Sequence, residues 1–230
     1  MLKNWRNPQP LWVALEGLDG TGKSLQVQQL ADVARTWGLR VGVYRYTAIR
    51  DDVWGRTIQS VYKSDAGGWL KRSLSKIRFV QEIMYAVQAR LNLRDLGDLG
   101  EYDLVICDRC AVTAFIAHAH MGGSRRLAEW FLTLLEYRFV PHYVIYLRIP
   151  LDTALKRVTH RSAVVWKDEN AQSLEQMAAT YNELVQRHWV PWALRNVKWQ
   201  LVETADAPDI VQHRLQMILK SVLVQEGILE

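Results

Sequence analysis

The chain has 230 residues, of which 49% are hydrophobic, and it carries a formal net charge of +5. This length and apolar content are enough for a sizeable core in one domain, and the absence of any low-complexity tract excludes a disordered chain. No stretch reaches the roughly 18 uncharged apolar residues of a membrane span, and the first ten residues lack the apolar segment of a secretory signal. We therefore expect a cytoplasmic protein with no membrane partner.

The positive charge raises the question of a nucleic-acid partner, because basic side chains neutralise phosphates and tryptophans stack on bases. The 29 lysines and arginines are scattered, without a run of five or more, and the ten tryptophans are dispersed as well. We therefore do not expect a nucleic-acid partner. The charge is typical of a solvated surface or of a site for anionic small molecules.

Short apolar runs and amphipathic helical patterns alternate along the whole chain, beginning with the run LWVALE. In chain order, the predicted elements are strand 11–16, helix 24–38, strand 40–46, helix 74–91, strand 103–107, helix 127–135, strand 142–149, helix 151–161, helix 174–188, strand 199–203 and helix 211–222. This alternation predicts an α/β fold with a five-stranded, mostly parallel sheet and helices on both faces. In such folds ligands bind at the carboxyl ends of the strands.

A glycine-rich segment follows the first strand, and residues 17–24 (GLDGTGKS) fit the pattern G-x-x-x-x-G-K-[ST] of phosphate-binding loops. Glycines let consecutive backbone N–H groups turn toward a phosphate chain, and the helix behind the loop directs its positive end at the same anion. Lys23 would carry charge to the β- and γ-phosphates, and the Ser24 hydroxyl would ligate Mg²⁺. The predicted nucleotide-binding residues of this segment are Gly17, Asp19, Gly20, Thr21, Gly22, Lys23, Ser24 and Leu25.

A second motif, DLVICDRC, places Asp108 and Arg109 directly after an apolar strand. Asp108 would reach the same edge of the sheet as the loop and hold Mg²⁺ through a water molecule. Alternatively, Asp108 caps the following helix. Arg109 would bind phosphate oxygens through two of its guanidinium nitrogens, unless it forms an ordinary surface ion pair.

Two further arginines, Arg157 and Arg161, lie four residues apart on one helix face and lead into SAVVWKDEN. Cationic groups on a mobile segment would neutralise the charge that develops during phosphoryl transfer and would exclude water. The alternative is that both arginines are solvated.

The two cysteines form the pattern Cys107-Asp-Arg-Cys110, with His118 and His120 close in sequence. This pattern fits a redox pair or part of a zinc site. Because Cys107 ends an apolar run, we instead interpret both cysteines as packed core residues.

Together, EGLDGTGKS, VICDR about 85 residues later, and LDTALKRVTHR resemble the thymidylate kinase family of phosphate-loop nucleoside monophosphate kinases. The resemblance covers nearly the whole chain in the same order. It implies one kinase domain over residues 1–230 with a short mobile lid at about 160–170, ATP and Mg²⁺ as donor and cofactor, a nucleoside monophosphate as acceptor, and a homodimer.

The resemblance also implies residue roles. Asp19 would contact the 3′-hydroxyl of the acceptor sugar, and Arg109 would bridge the donor and acceptor phosphates. Arg157 and Arg161 would come from the lid, with Lys167 as a further lid cation.

On the acceptor side, the resemblance places Arg50 at the acceptor phosphate and Thr113 where the family has a serine. Three places depart from the family pattern. RYTAIRDD stands where the family has an R-E-P-G-G type segment after the second strand, Gln88 stands where it has an arginine near the thymine ring, and Ala117-His118 replaces a Tyr-Gln pair. A site that reads a base by hydrogen bonds discriminates strongly, so changed pocket residues are compatible with a changed substrate.

The predicted function is therefore transfer of the ATP γ-phosphate to a nucleoside monophosphate, with dTMP as the first choice of acceptor. One alternative is a kinase for a nucleoside or another hydroxyl compound, which would need Asp108 or Glu16 as a base. The other is a nucleotide-binding regulatory protein without catalysis.

Overall fold

The computed structural model describes residues 9–48, 56, 78–120, 125–160 and 171–230. The strands are β1 (Leu11–Gly17), β2 (Val41–Arg45), β3 (Leu104–Asp108), β4 (Tyr143–Arg148) and β5 (Lys198–Glu203). They form one parallel sheet in the order β2-β3-β1-β4-β5. The predicted five-stranded parallel sheet is confirmed, and β1 lies at its centre, between β3 and β4.

The α-helices are α1 (Lys23–Thr36), α2 (Arg78–Arg94), α3 (Ala111–His120), α4 (Arg125–Phe131), α5 (Leu151–Thr159), α6 (Ala171–Val185) and α7 (Pro208–Gln225). A π-helical turn and a 3₁₀ turn continue α4, at Leu132–Glu136 and Tyr137–Phe139, and further 3₁₀ turns lie at Leu99–Glu101 and Trp192–Leu194. The strands and most helices therefore agree with the predicted order.

Two helices differ from the prediction. Helix α3 was not predicted, because the segment AVTAFIAHAH is apolar on nearly every side and shows no periodicity; Phe115 in it is buried. The helix predicted to reach His188 ends at Val185, and Arg187 then adopts a left-handed backbone conformation with φ 56°. That conformation stops a right-handed helix.

Side chains of β1 alternate between two apolar layers. Val13 and Leu15 pack with α1 and α7 on one face, while Trp12 and Ala14 pack with α2, α3 and α6 on the other. This two-residue period carries Glu16 to the same face as Trp12, and Glu16 is fully buried there.

The lid predicted at about 160–170 falls outside the described residues except for His160, and the single domain over 1–230 stays a prediction. Within the described part of the chain, no helix has both the length and the apolar character that a membrane crossing requires.

Candidate active site

The loop between β1 and α1 needs glycine at two positions for different reasons. A Cβ on Gly17 would lie 2.5 Å from the backbone oxygen of Leu147 in β4, which leaves no space for a side chain. Gly22 precedes α1 with φ 84°, a left-handed conformation that other residues rarely adopt. The glycines therefore let the chain pass tightly against β4 and turn directly into the helix.

The start of α1 has the properties of an anion site. Gly22 has no side chain to cap the helix, and the first turn contains no acidic residue. Ser24 and Leu25 are exposed in this turn. Backbone N–H groups at a helix start have no partner within the helix and carry partial positive charge, so this end attracts phosphate.

The ammonium group of Lys23 bends back onto its own loop. Its Nζ atom donates hydrogen bonds to the backbone oxygen of Leu18 at 2.6 Å and to Oγ1 of Thr21 at 3.2 Å, and it lies 3.9 Å from Oδ1 of Asp19. Lys23 is buried, and this burial, with the nearby charge of Arg109, lowers its pKa to about 7. The loop thus holds a lysine that changes its protonation near neutral pH.

We expect nucleotide binding to take up a proton at Lys23. A polyphosphate beside Nζ favours the charged form, so the pKa of Lys23 should rise on binding. At pH 8 close to one proton per site should be taken up, and affinity for ATP should weaken as the pH rises above about 7. Calorimetric titration at pH 8 in two buffers of different ionisation enthalpy measures this uptake.

A Lys23→Met variant is the matched control for this titration, because it keeps the apolar part of the side chain and removes the titrating group. We expect its binding heat to be independent of the buffer. A buffer-independent heat for the unmodified protein would contradict the assignment.

Arg109 lies at the carboxyl end of β3 and faces the loop. Its guanidinium group donates to a carboxylate oxygen of Asp19, to the backbone oxygen of Gly17 at 3.3 Å and to Oγ1 of Thr113 at 3.4 Å. The side chain is mostly buried, and although burial opposes its charge, the carboxylates around it, above all Asp19, keep the pKa of Arg109 above its ordinary value. The predicted phosphate-contacting arginine is therefore a permanently charged group beside the loop.

Arg157 reaches the same loop from α5. Its Nη1 atom donates to the backbone oxygen of Gly20 at 3.1 Å, although much of the residue is exposed. Arg161 and Lys167, the other predicted lid cations, lie outside the described residues. The structure thus brings Lys23, Arg109 and Arg157 to one loop from three different elements.

The predicted metal-binding residues flank this loop. Asp108 ends β3 and lies in register with Leu15 of β1, two residues before the loop starts. Ser24 is the second residue of α1, at the other end of the loop. A carboxylate and a hydroxyl are hard oxygen donors, so the residues present fit Mg²⁺.

Gln88 belongs to a separate set of hydrogen bonds. The side chain is buried on α2, and its Nε2 atom donates to the backbone oxygen of Ala48 at 2.8 Å and to Oδ1 of Asn92 at 2.9 Å. These contacts tie α2 to the segment after β2. Arg50 lies outside the described residues, as do the side chains of Ala117 and His118.

The cysteines pack in the core, in agreement with our interpretation. Cys107 and Cys110 are fully buried and not bonded to each other, and burial raises the pKa of both thiols. Thiolates are the form that binds metals or reacts, so this environment opposes both roles. In the described ranges, no group of three or more His, Cys, Asp or Glu side chains is placed to hold a metal ion.

Behind the loop lie two buried groups, Glu16 and Tyr181; Glu16 was predicted only as a base for the alternative kinase, and Tyr181 was not predicted as a site residue. Glu16 accepts hydrogen bonds from Thr113 and from Tyr181 of α6, both at 2.7 Å. The alternation of β1 indicates which face Glu16 occupies, but its partners come from elements distant in sequence, and only the folded chain shows them.

The chain matches the family model for thymidylate kinase over residues 15–198, which include the loop, β3 and α5. The chain belongs to the thymidylate kinase family. Members of this family are ATP-dependent phosphotransferases that act on a nucleoside monophosphate. The predicted resemblance and the predicted class of enzyme are therefore confirmed.

Two curated relatives agree with this family. A probable thymidylate kinase of Thermococcus onnurineus is 22% identical over 179 residues, covering 77% of this chain and 85% of the relative. A thymidylate kinase of Desulfotalea psychrophila is 25% identical over 183 residues, covering 77% of this chain and 83% of the relative. The similarity extends over most of each thymidylate kinase.

Proposed function

We propose that the chain transfers the γ-phosphate of ATP to a deoxynucleoside monophosphate, with dTMP as the acceptor. The observation that carries this proposal is the convergence of Lys23, Arg109 and Arg157 on the glycine loop at the carboxyl edge of the sheet. The names of the two relatives support dTMP in particular.

In this proposal the protein acts by positioning and by charge stabilisation, without a covalent intermediate. Lys23 leaves the carbonyl of Leu18 and binds the β- and γ-phosphates. Arg109 binds oxygens of both the donor and the acceptor phosphates, while Arg157, with Arg161 from the lid, neutralises charge on the transferred group.

We propose that Ser24 and Asp108 hold Mg²⁺, Asp108 through water. The ion, when bound, would neutralise part of the charge of the phosphates. Ser24 lies in the first turn of α1, and Asp108 ends β3, which pairs with β1 just before the loop; this placement of two hard oxygen donors at the loop supports the assignment.

The acceptor would lie on the Arg109 side of the loop. Asp19 contacts its sugar 3′-hydroxyl, and Arg50, Gln88 and Thr113 complete the acceptor side. Asp19 and Arg109 already touch each other, which supports a shared acceptor site for these two residues.

A panel of acceptors tests this function. ADP release from Mg·ATP is measured with each of dTMP, dUMP, dCMP, dAMP, dGMP and thymidine as acceptor. We expect the highest kcat/KM with dTMP. The Lys23→Ala variant serves as the blank. Turnover with thymidine alone would indicate a nucleoside kinase. Tight ATP binding without turnover on any acceptor would indicate a regulatory protein.

The structure disfavours Glu16 as the base that a nucleoside kinase would need. Its carboxylate is fully buried, and both oxygens accept hydrogen bonds from protein donors. A general base must lie within reach of the substrate proton. A nucleoside kinase built on this chain would therefore need Asp108 as its base.

We further propose a cytoplasmic homodimer. Tyr137 and Trp192 stack on each other, with ring centroids 6.0 Å apart, and each is about half exposed. Exposed aromatic groups of this kind are typical of interfaces. Light scattering coupled to gel filtration tests the dimer, and a monomer at micromolar concentration would contradict it. Fractionation of lysed cells tests the location, and recovery of the protein in the membrane fraction would contradict it.

A further inference from the structure

The carboxylate of Glu16 is the centre of a buried hydrogen-bond network at the end of β1. Its Oε1 atom accepts from the backbone N–H and the thiol of Cys110, at 2.8 and 3.2 Å. Its Oε2 atom accepts from the hydroxyls of Thr113 and Tyr181, both at 2.7 Å. A buried carboxylate is costly unless it is paired in this way, so the four donors hold it in one orientation.

This network encloses the backbone turn at Arg109. Arg109 has φ 67°, a left-handed conformation that is unusual for a residue with a side chain. Its N–H donates to the backbone oxygen of Leu15 at 3.1 Å, and the next N–H, that of Cys110, donates to Glu16. Bonds on both sides of the strained residue therefore keep the turn in place.

Thr113 links the same network to the side chain of Arg109. The hydroxyl of Thr113 donates to Glu16 and accepts from Nη1 of Arg109 at 3.4 Å. Glu16 therefore acts on Arg109 twice, through the backbone of Cys110 and through the hydroxyl of Thr113.

Tyr181 connects the Glu16 network to one of the two helices that flank residues 161–170. It lies on α6, after that segment, and its buried hydroxyl contacts Glu16. On α5, before the segment, Arg157 contacts Gly20. Both flanking helices are thus hydrogen-bonded to the glycine loop or to the residue that precedes it.

We propose that Glu16 and Tyr181 are positioning residues for phosphoryl transfer, which hold the left-handed turn and the guanidinium group of Arg109 in the geometry that the reaction uses. This inference rests on the proposed function. Neither residue touches the substrates; both act through Arg109.

The test is Tyr181→Phe, which removes one hydroxyl and keeps the buried ring. We expect kcat with Mg·ATP and dTMP to fall about 10- to 100-fold, because small misplacements of a catalytic group have effects of this size. The KM values should change by less than about threefold, since substrate contacts remain.

Tyr146→Phe is the matched control. The Tyr146 ring stacks on that of Tyr181 with centroids 4.6 Å apart, and Tyr146 is equally buried, but its hydroxyl is not among the four donors to Glu16. We expect its kcat to stay within about twofold of the unmodified protein, since the network is intact.

A double-mutant cycle separates positioning from plain core packing. In an Arg109→Ala background, Tyr181→Phe should change the remaining kcat by less than about twofold, because the group it positions is gone. An undiminished effect in that background, or a change in stability without a change in kcat, would overturn the inference. If Tyr181→Phe does not fold, Glu16→Gln, which keeps the side-chain shape, is put through the same cycle.

Turnover by the unmodified protein distinguishes failure of the positioning role from failure of the proposed function. If the unmodified protein transfers phosphate but the cycle is additive, only the positioning inference fails. If the unmodified protein transfers no phosphate to any acceptor, the proposed function fails first.

Discussion

Replacing Lys23 with alanine should reduce kcat by about 10³-fold or more, since the lysine charge is needed most in the transition state. The same change should not lower the free energy of unfolding much, because burial lowers the pKa of Lys23 and the fold therefore does not depend on its charge. Steady-state ADP release and urea unfolding measure the two quantities on the same preparation.

Lys23→Met is the appropriate companion variant, because it restores the buried methylene groups but not the ammonium group. Equal loss of kcat in both variants assigns the effect to charge rather than to packing. Near-normal turnover in either variant would show that Lys23 does not serve the transferred phosphate.

The second large effect should come from Arg109→Ala, with a loss of about 10³-fold in kcat, which is typical of an arginine that stabilises a transferring phosphoryl group. Arg90→Ala should cost less than about threefold, because Arg90 is exposed on α2. Parallel measurements of kcat and KM with ATP and dTMP compare the two arginines.

Arg109→Lys sharpens the comparison, since it keeps a positive charge but loses the planar group that binds two oxygens at once. We expect its kcat to lie between those of the unmodified protein and Arg109→Ala. Equal losses for Arg90→Ala and Arg109→Ala would mean that the acceptor phosphate does not lie beside Arg109.

The two arginines differ in a way that sequence patterns do not reveal. Neither arginine stands out in its local sequence, yet Arg109 has a left-handed backbone conformation and a carboxylate partner in Asp19. Strained residues of this kind persist only where the surrounding structure holds them in place, and they concentrate at functional sites. This environment is the physical reason to expect a large effect at Arg109 and a small one at Arg90.

Much of the fold was predictable because its signals are local. Strands β1 and β4 are apolar runs bounded by breakers, and α1 ends before Gly38, which has φ 85°. Helix α3 was missed because its sequence is apolar on nearly all sides and so carries no periodic pattern; its helical state depends on its surroundings.

The chain sequence by itself determined the phosphate-binding loop, the Asp108-Arg109 pair and the alternation of strands and helices, since each is written in neighbouring residues. Only the tertiary structure decided the strand order, the contact of Arg157 with Gly20, and the network that joins Glu16 to Tyr181, 165 residues later. The physical reason is range: backbone propensity and glycine freedom act over a few residues, whereas a buried carboxylate takes its donors from whichever elements the folded core brings beside it.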